Sequence, residues 1–146
     1  MGLIRLQVTL KNPRRPDLPT VEAEALADSG SVHLCIPLSI QAELQLEEFR
    51  KEQVTLADGS KKQVPYVGPV QLIFKNRVGF VGALVFGDEV LFGAIPMEDM
   101  DLIIIPRTRT FDVNPLSPDM ATSIAKRLGG GHSQKAFRRR KRRKNR

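Results

Sequence analysis

Up to about Val113 the apolar residues come in short runs, each closed by glycine, proline, asparagine or aspartate. Short runs with period-two alternation between turn residues are strand signals, and they leave little room for long helices. "LIRLQVTL" alternates and reads as a strand, followed by the turn "NPRRPDLP". "TVEAEALA" alternates again, with Val21, Ala23 and Ala25 on one face and Glu22 and Glu24 on the other. "PLSIQAELQL" predicts a short helix with Ser39 as a candidate N-cap and Ile40, Leu44 and Leu46 on one side. "EFRKEQVTLADGSKKQVPYVG" predicts a hairpin. Asp58-Gly59 is its turn, and Val54, Leu56, Val64 and Tyr66 flank it. "PVQLIF" and "VGFVGALVF" follow as strands joined at Asn76. After them come the apolar run "EVLFG", a helical turn "AIPMEDM" and a buried strand "DLIIIP". The expected fold class is therefore mainly β with short helices. A fainter pattern also repeats: "EALADSG" and "EVLFG" are each an apolar run ending in glycine, and each is followed by a short helix.

Beyond Val113 the pattern changes. "SPDMATSIAKRLGG" carries helix signals: Ser117 to cap, Pro118 in the first position, Asp119 in the first turn, Lys126 and Arg127 in the last, Gly129 to stop. "GGGHSQ" reads as a linker. The last twelve residues, "KAFRRRKRRKNR", hold nine Lys or Arg and no acid. The formal charge of +7 thus belongs to this tail; without those nine, 14 basic residues face 16 acidic ones. The expected organisation is a folded domain over 1–113, a helix and linker over 114–130, and a disordered basic tail over 131–146. A tail of this kind is a solvated extension, a localisation signal, or a nonspecific nucleic-acid contact through residues 135–146, made to phosphates. Phe137 is the only aromatic available there for stacking.

At 146 residues the chain suits one domain with a modest core, and without tryptophan that core is aliphatic. No apolar run reaches the roughly 20 residues of a membrane span. The N-terminus has neither a signal-peptide apolar region nor a cleavage site. Leu6 also stands where a myristoylation signal wants Ser or Thr. The lone Cys35 excludes an internal disulfide and suits a reducing compartment, so a cytoplasmic location is expected. His33 and Cys35 sit on the face opposite Leu34. Two histidines and one cysteine make a poor metal set, so no metal and no cofactor are expected. Phe74, Phe80, Phe86 and Phe92 recur every six residues, which suits strand and core packing.

The feature this pattern leaves unexplained is Asp28. It interrupts two apolar flanks in "EALADSGSVHLCIP". A buried ionised carboxylate needs partners. The Ser29 hydroxyl and the backbone N–H groups of Gly30 and Ser31 are the nearest donors, and Gly30 permits a tight turn and close approach of another chain. One carboxylate cannot act as acid and base together. No other Asp or Glu stands in the same context, but a two-fold axis at Gly30 would bring Asp28 beside its own copy. Two carboxylates sharing one proton form an acid and a base able to activate water against an amide carbonyl.

These residues carry a resemblance. "ALADSGS" resembles the Asp-Ser/Thr-Gly active-site signature of aspartic proteases. "VLFG" is similar to the apolar-apolar-Gly element packed behind that loop, and "LADG" stands where the flap hairpin stands. Their order resembles the single-domain, retropepsin-like (clan AA) family of homodimeric aspartic proteases over about residues 3–113. The resemblance implies a closed, barrel-like acid-protease fold and an aspartic endopeptidase with Asp28 catalytic. It implies an active-site loop of Ser29, Gly30 and Ser31, with Ser29 bracing the two loops across the axis. Leu56, Ala57, Asp58 and Gly59 would form the flap over a protein or peptide substrate, and Leu91, Phe92 and Gly93 the supporting element. Two departures stand out. Ser31 replaces the alanine of retroviral enzymes, and the flap tip lacks their run of glycines. The alternative is a non-catalytic, protease-like module that binds peptide or nucleic acid with the help of the basic tail. A further alternative is a small β domain in which the loop is only structural.

Overall fold

The computed structural model describes residues 4–28 and 30–125. Nine strands and two short helices follow one another in the described chain: β1 (Arg5–Lys11), β2 (Val21–Ala27), β3 (Leu34–Ile36), α1 (Leu38–Leu44), β4 (Glu47–Thr55), β5 (Lys61–Phe74), β6 (Arg77–Val85), β7 (Val90–Phe92), α2 (Ala94–Asp99), β8 (Leu102–Ile105) and β9 (Thr110–Val113). The chain is mainly β, as the short alternating runs predict.

Six strands close a barrel in the order β1-β2-β7-β3-β6-β5, and β5 returns to β1 through Thr9↔Ile73, Leu10↔Leu72 and Lys11↔Gln71. Two contacts inside this ring are parallel. β2 lies beside β7 with Ala27 opposite Phe92, and β3 lies beside β6 with Cys35 opposite Leu84. The two apolar runs of the repeated pattern, β2 and β7, are parallel neighbours, but only β7 passes through its glycine straight into a helix; in the first segment β3 stands between Gly30 and α1. β4 extends the ring as the outer arm of the β4–β5 hairpin, and the β8–β9 pair joins at β1.

Alternation decides what the barrel encloses. Leu6, Val8 and Leu10 of β1 point inward and are buried, while Arg5, Gln7 and Thr9 between them point out or lie at the surface. They meet Leu34, Ile36, Val67, Val70, Leu72, Ala83 and Phe92 in one aliphatic core, closed by Ile40 and Leu44 of α1. Burial of this apolar surface is the main driving force for folding. A second, smaller cluster lies on the other face of β3, because Cys35 points away from its neighbours Leu34 and Ile36. Cys35, Val64 and Leu84 are buried there, with Val54, Tyr66, Phe86 and Leu91 packed against them.

Several local expectations are corrected. α1 is N-capped by Pro37, and Ser39 lies inside the helix. Its C-terminus is held by buried Asn12, whose Nδ2 donates to the Leu44 carbonyl at 2.9 Å. "PVQLIF" is not a separate strand but the continuation of β5, which carries an irregularity between Val67 and Val70. Phe92 is fully buried, but Phe80 is 57% exposed on the outward side of β6 and is not core.

The C-terminal helix expected from Ser117 is absent over residues 117–125. The groups that would start it are committed elsewhere. The Ser117 hydroxyl and the Thr122 N–H both donate to Asp101, the Ser117 carbonyl accepts from buried Arg77, and Asn76 donates to the Pro118 carbonyl at 2.8 Å. A helix needs those backbone groups free for its own first turn. The rest of that expectation, with Lys126, Arg127, Gly129, the linker and the basic tail, lies outside the described residues.

Candidate active-site loop

β2 ends at Ala27 and the chain turns through Asp28 into β3. The turn is held by its neighbour β7. The Asp28 N–H donates to the Phe92 carbonyl at 2.9 Å, continuing the parallel β2–β7 ladder one residue past the strand. Past Gly93, the N–H groups of Ala94 and Ile95 at the start of α2 donate to the carbonyls of Ser31 and Val32, at 2.9 and 2.8 Å. Leu91, Phe92 and Gly93 thus stand directly behind the Asp28 loop. The apolar-apolar-Gly run is brought to the Asp-Ser-Gly run across more than sixty residues of sequence.

Within the loop Asp28 is half-buried, and both of its carboxylate oxygens are engaged. Oδ1 accepts the Gly30 N–H at 3.1 Å, and Oδ2 accepts the Ser31 hydroxyl at 2.8 Å. The Ser31 N–H in turn donates to the Asp28 carbonyl at 3.0 Å, closing a tight turn. Ser31 therefore has a visible task that its place in the motif did not specify. Ser29 lies outside the described residues. Gly30 is exposed, and so are the neighbouring apolar side chains Val32 (58%) and Ile95 (40%).

Burial, with the negative charges of Asp28 and then Glu52, pushes the Cys35 thiol above its ordinary pKa. Cys35 is thus an inert, buried thiol near two carboxylates rather than a nucleophile. His33 does not pair with it. Its Nε2 stands 3.0 Å from Glu52 on β4, and its ring meets Tyr66 edge-on at 5.6 Å between centroids.

The hairpin forms as expected. Gly59 takes φ +85° at its tip, the Leu56 N–H donates to the Ser60 carbonyl at 2.8 Å, and the Gly59 N–H donates to the Leu56 carbonyl at 2.9 Å. Asp58 accepts from the Ser60 hydroxyl and N–H, which holds its carboxyl below the usual range. Asp58 is therefore a turn-former. Leu56, Ala57, Asp58 and Gly59 sit together at the tip, and no hydrogen bond joins them to the Asp28 loop among the described residues.

Sequence reading missed two groups. Glu52 looks like one of several hairpin surface charges, and only the fold brings it to His33. Asp101 reads as the start of a strand, yet it accepts from Asn114, Ser117 and Thr122 and lies 3.9 Å from Arg77. It lines a recess of about 650 Å³ with Ala94, Met97, Leu102 and Ile124. Among the described residues no cluster of three His, Cys, Asp or Glu is placed to hold a metal ion, and no helix is long and apolar enough to cross a membrane.

No family model matches the chain, and no curated protein matches it in sequence.

Proposed function

We propose that the chain is an aspartic endopeptidase with a retropepsin-like fold, working as a homodimer with one Asp28 from each copy. The observation that carries this reading is the clasp between the Asp28 loop and the Leu91–Gly93 turn. A half-buried carboxylate is held at a strand end by Gly30 and Ser31 and backed by the β7–Gly93–α2 segment. Asp58 makes similar turn bonds at the exposed hairpin tip, and Asp28 differs from it in standing half-buried at a strand end with the Leu91–Gly93 turn packed behind it.

The dimer follows from the chemistry, since peptide hydrolysis needs a base for water and an acid for the carbonyl and the leaving nitrogen. Two Asp28 side chains at a two-fold axis share one proton because they cannot both ionise at short range. The ionised one takes a proton from water as the oxygen attacks the amide carbon, and the protonated one stabilises the developing oxyanion. The amide nitrogen is then protonated and leaves. Exposed Gly30, Val32 and Ile95 supply a small, partly apolar face for the second copy. Substrate would lie extended between this floor and the β4–β5 hairpin, adding main-chain hydrogen bonds as a strand does. Activity should be highest at acid to neutral pH and decline as the shared proton is lost.

The test compares wild type with Asp28→Asn on a peptide library, with the oligomeric state measured alongside. A dimer whose cleavage is abolished in the variant supports the proposal. Equal cleavage by both proteins, or a strict monomer at micromolar concentration, removes it.

A further inference from the structure

Among the described residues, the polar side-chain link between the Asp28 loop and the hairpin is the His33–Glu52 pair. Further contacts hold both ends of this link. On the loop side, the backbone of residues 31–33 is pinned by α2 and packed on Gly93, where a Cβ would come within 2.5 Å of the His33 carbonyl oxygen. On the hairpin side, Glu52 also takes the Arg50 guanidinium at 2.7 Å, and Arg50 lies over the Tyr66 ring at 4.2 Å from its centroid. Tyr66 in turn rests on the backbone of β6 at Gly82. The side chains of His33 and Glu52 are only 20% and 24% exposed, so water screens the pair less than it screens an open surface pair.

The position of Glu52 matters. It lies six residues before Asp58, so the hairpin beyond it projects about 20 Å at ~3.3 Å per residue. Past that point the tip's hydrogen bonds are internal. Val54 and Val64 add apolar contacts, and Lys62 stands 5.8 Å from the Phe86 ring.

We infer that the His33–Glu52 pair is a positioning latch. It ties the base of the hairpin to the loop that carries Asp28 and so sets the height of the tip above that loop. Its consequence for substrate rests on the protease reading: the latch acts on peptide affinity, and the chemical step stays with Asp28. His33 and Glu52 are positioning residues and touch no reacting atom.

Hydrogen exchange on the full chain tests the latch without relying on cleavage. Wild type, His33→Gln, Glu52→Gln and the double variant are compared at the amides of residues 53–63. Each single change should speed exchange there roughly five- to tenfold, the double variant no more than either single, with β1 and β2 unchanged. Unchanged exchange at 53–63, or acceleration spread over the whole barrel, overturns the inference. With a cleaved peptide, KM should rise several-fold at nearly constant kcat; a fall in kcat at constant KM also overturns it. A wild type that cleaves nothing defeats the protease reading while the exchange result still decides the latch.

Discussion

Gly93 is packed against the carbonyl oxygen of His33 so closely that a Cβ on Gly93 would come within 2.5 Å of it, and within 2.7 Å of the Ser31 oxygen. The backbone of Gly93 is extended, with φ −88°, so any residue could adopt it. Glycine is required for space, not for conformation. The obstructing atoms are backbone, which cannot swing aside as a side-chain tip would.

Gly93→Ala should therefore force the Asp28 loop away from the β7–α2 turn. The expected cost is about 1–3 kcal/mol, the usual range for overpacking. Chemical denaturation of the two proteins checks this, and a midpoint within error of wild type would mean that the loop is not clamped there.

A second expectation concerns acid. The Ser117 hydroxyl, the Thr122 N–H and the Asn114 amide hold the Asp101 carboxyl well below the usual carboxylate range. A carboxylate whose folded pKa is depressed contributes stability that is full above its unfolded value, near 4, and is lost as pH falls toward the folded value. Wild type should lose stability steeply below about pH 4, and Asp101→Asn should show a shallower acid limb and lower stability at pH 7. Denaturation midpoints measured from pH 7 to pH 2 decide it; parallel curves would mean that Asp101 does not hold residues 114–122 in solution.

Cys35 offers a probe of Asp28 that needs no substrate. Burial first, then the charges of Asp28 and Glu52, suppress its thiolate. Alkylation of the folded protein at pH 8 should be much slower than in denaturant. Asp28→Asn removes one of the two charges and should speed the folded-state reaction modestly, because burial remains. Mass spectrometry of the labelled chain follows both rates, and identical rates in wild type and variant would place Asp28 too far away to influence the thiol.

Much of this arrangement was legible along the chain. The alternation of Leu6, Val8 and Leu10, the Asp58-Gly59 turn and the β7–Gly93–α2 segment each report a local preference, and local preferences are written in neighbouring residues. The helix expected from Ser117 failed for the opposite reason. Its cap residue, its Pro118 and its charged ends are sound local signals, but Asp101 and Arg77 are distant partners that bind the same backbone and hydroxyl groups. Phe80 failed similarly. Its six-residue spacing matches that of buried Phe92, yet the pleat of β6 turns it to the outside.

The sequence by itself determined a mainly β chain, the position of its hairpin, and a carboxylate set in a serine- and glycine-rich turn between apolar runs. Only the tertiary structure decided what surrounds that carboxylate. Parallel pairing of β2 with β7 brings Phe92 and Gly93 behind Asp28, and barrel closure brings Glu52 to His33. Such contacts depend on strand order and register, which are set by the burial of all the inward faces together. No single segment encodes them.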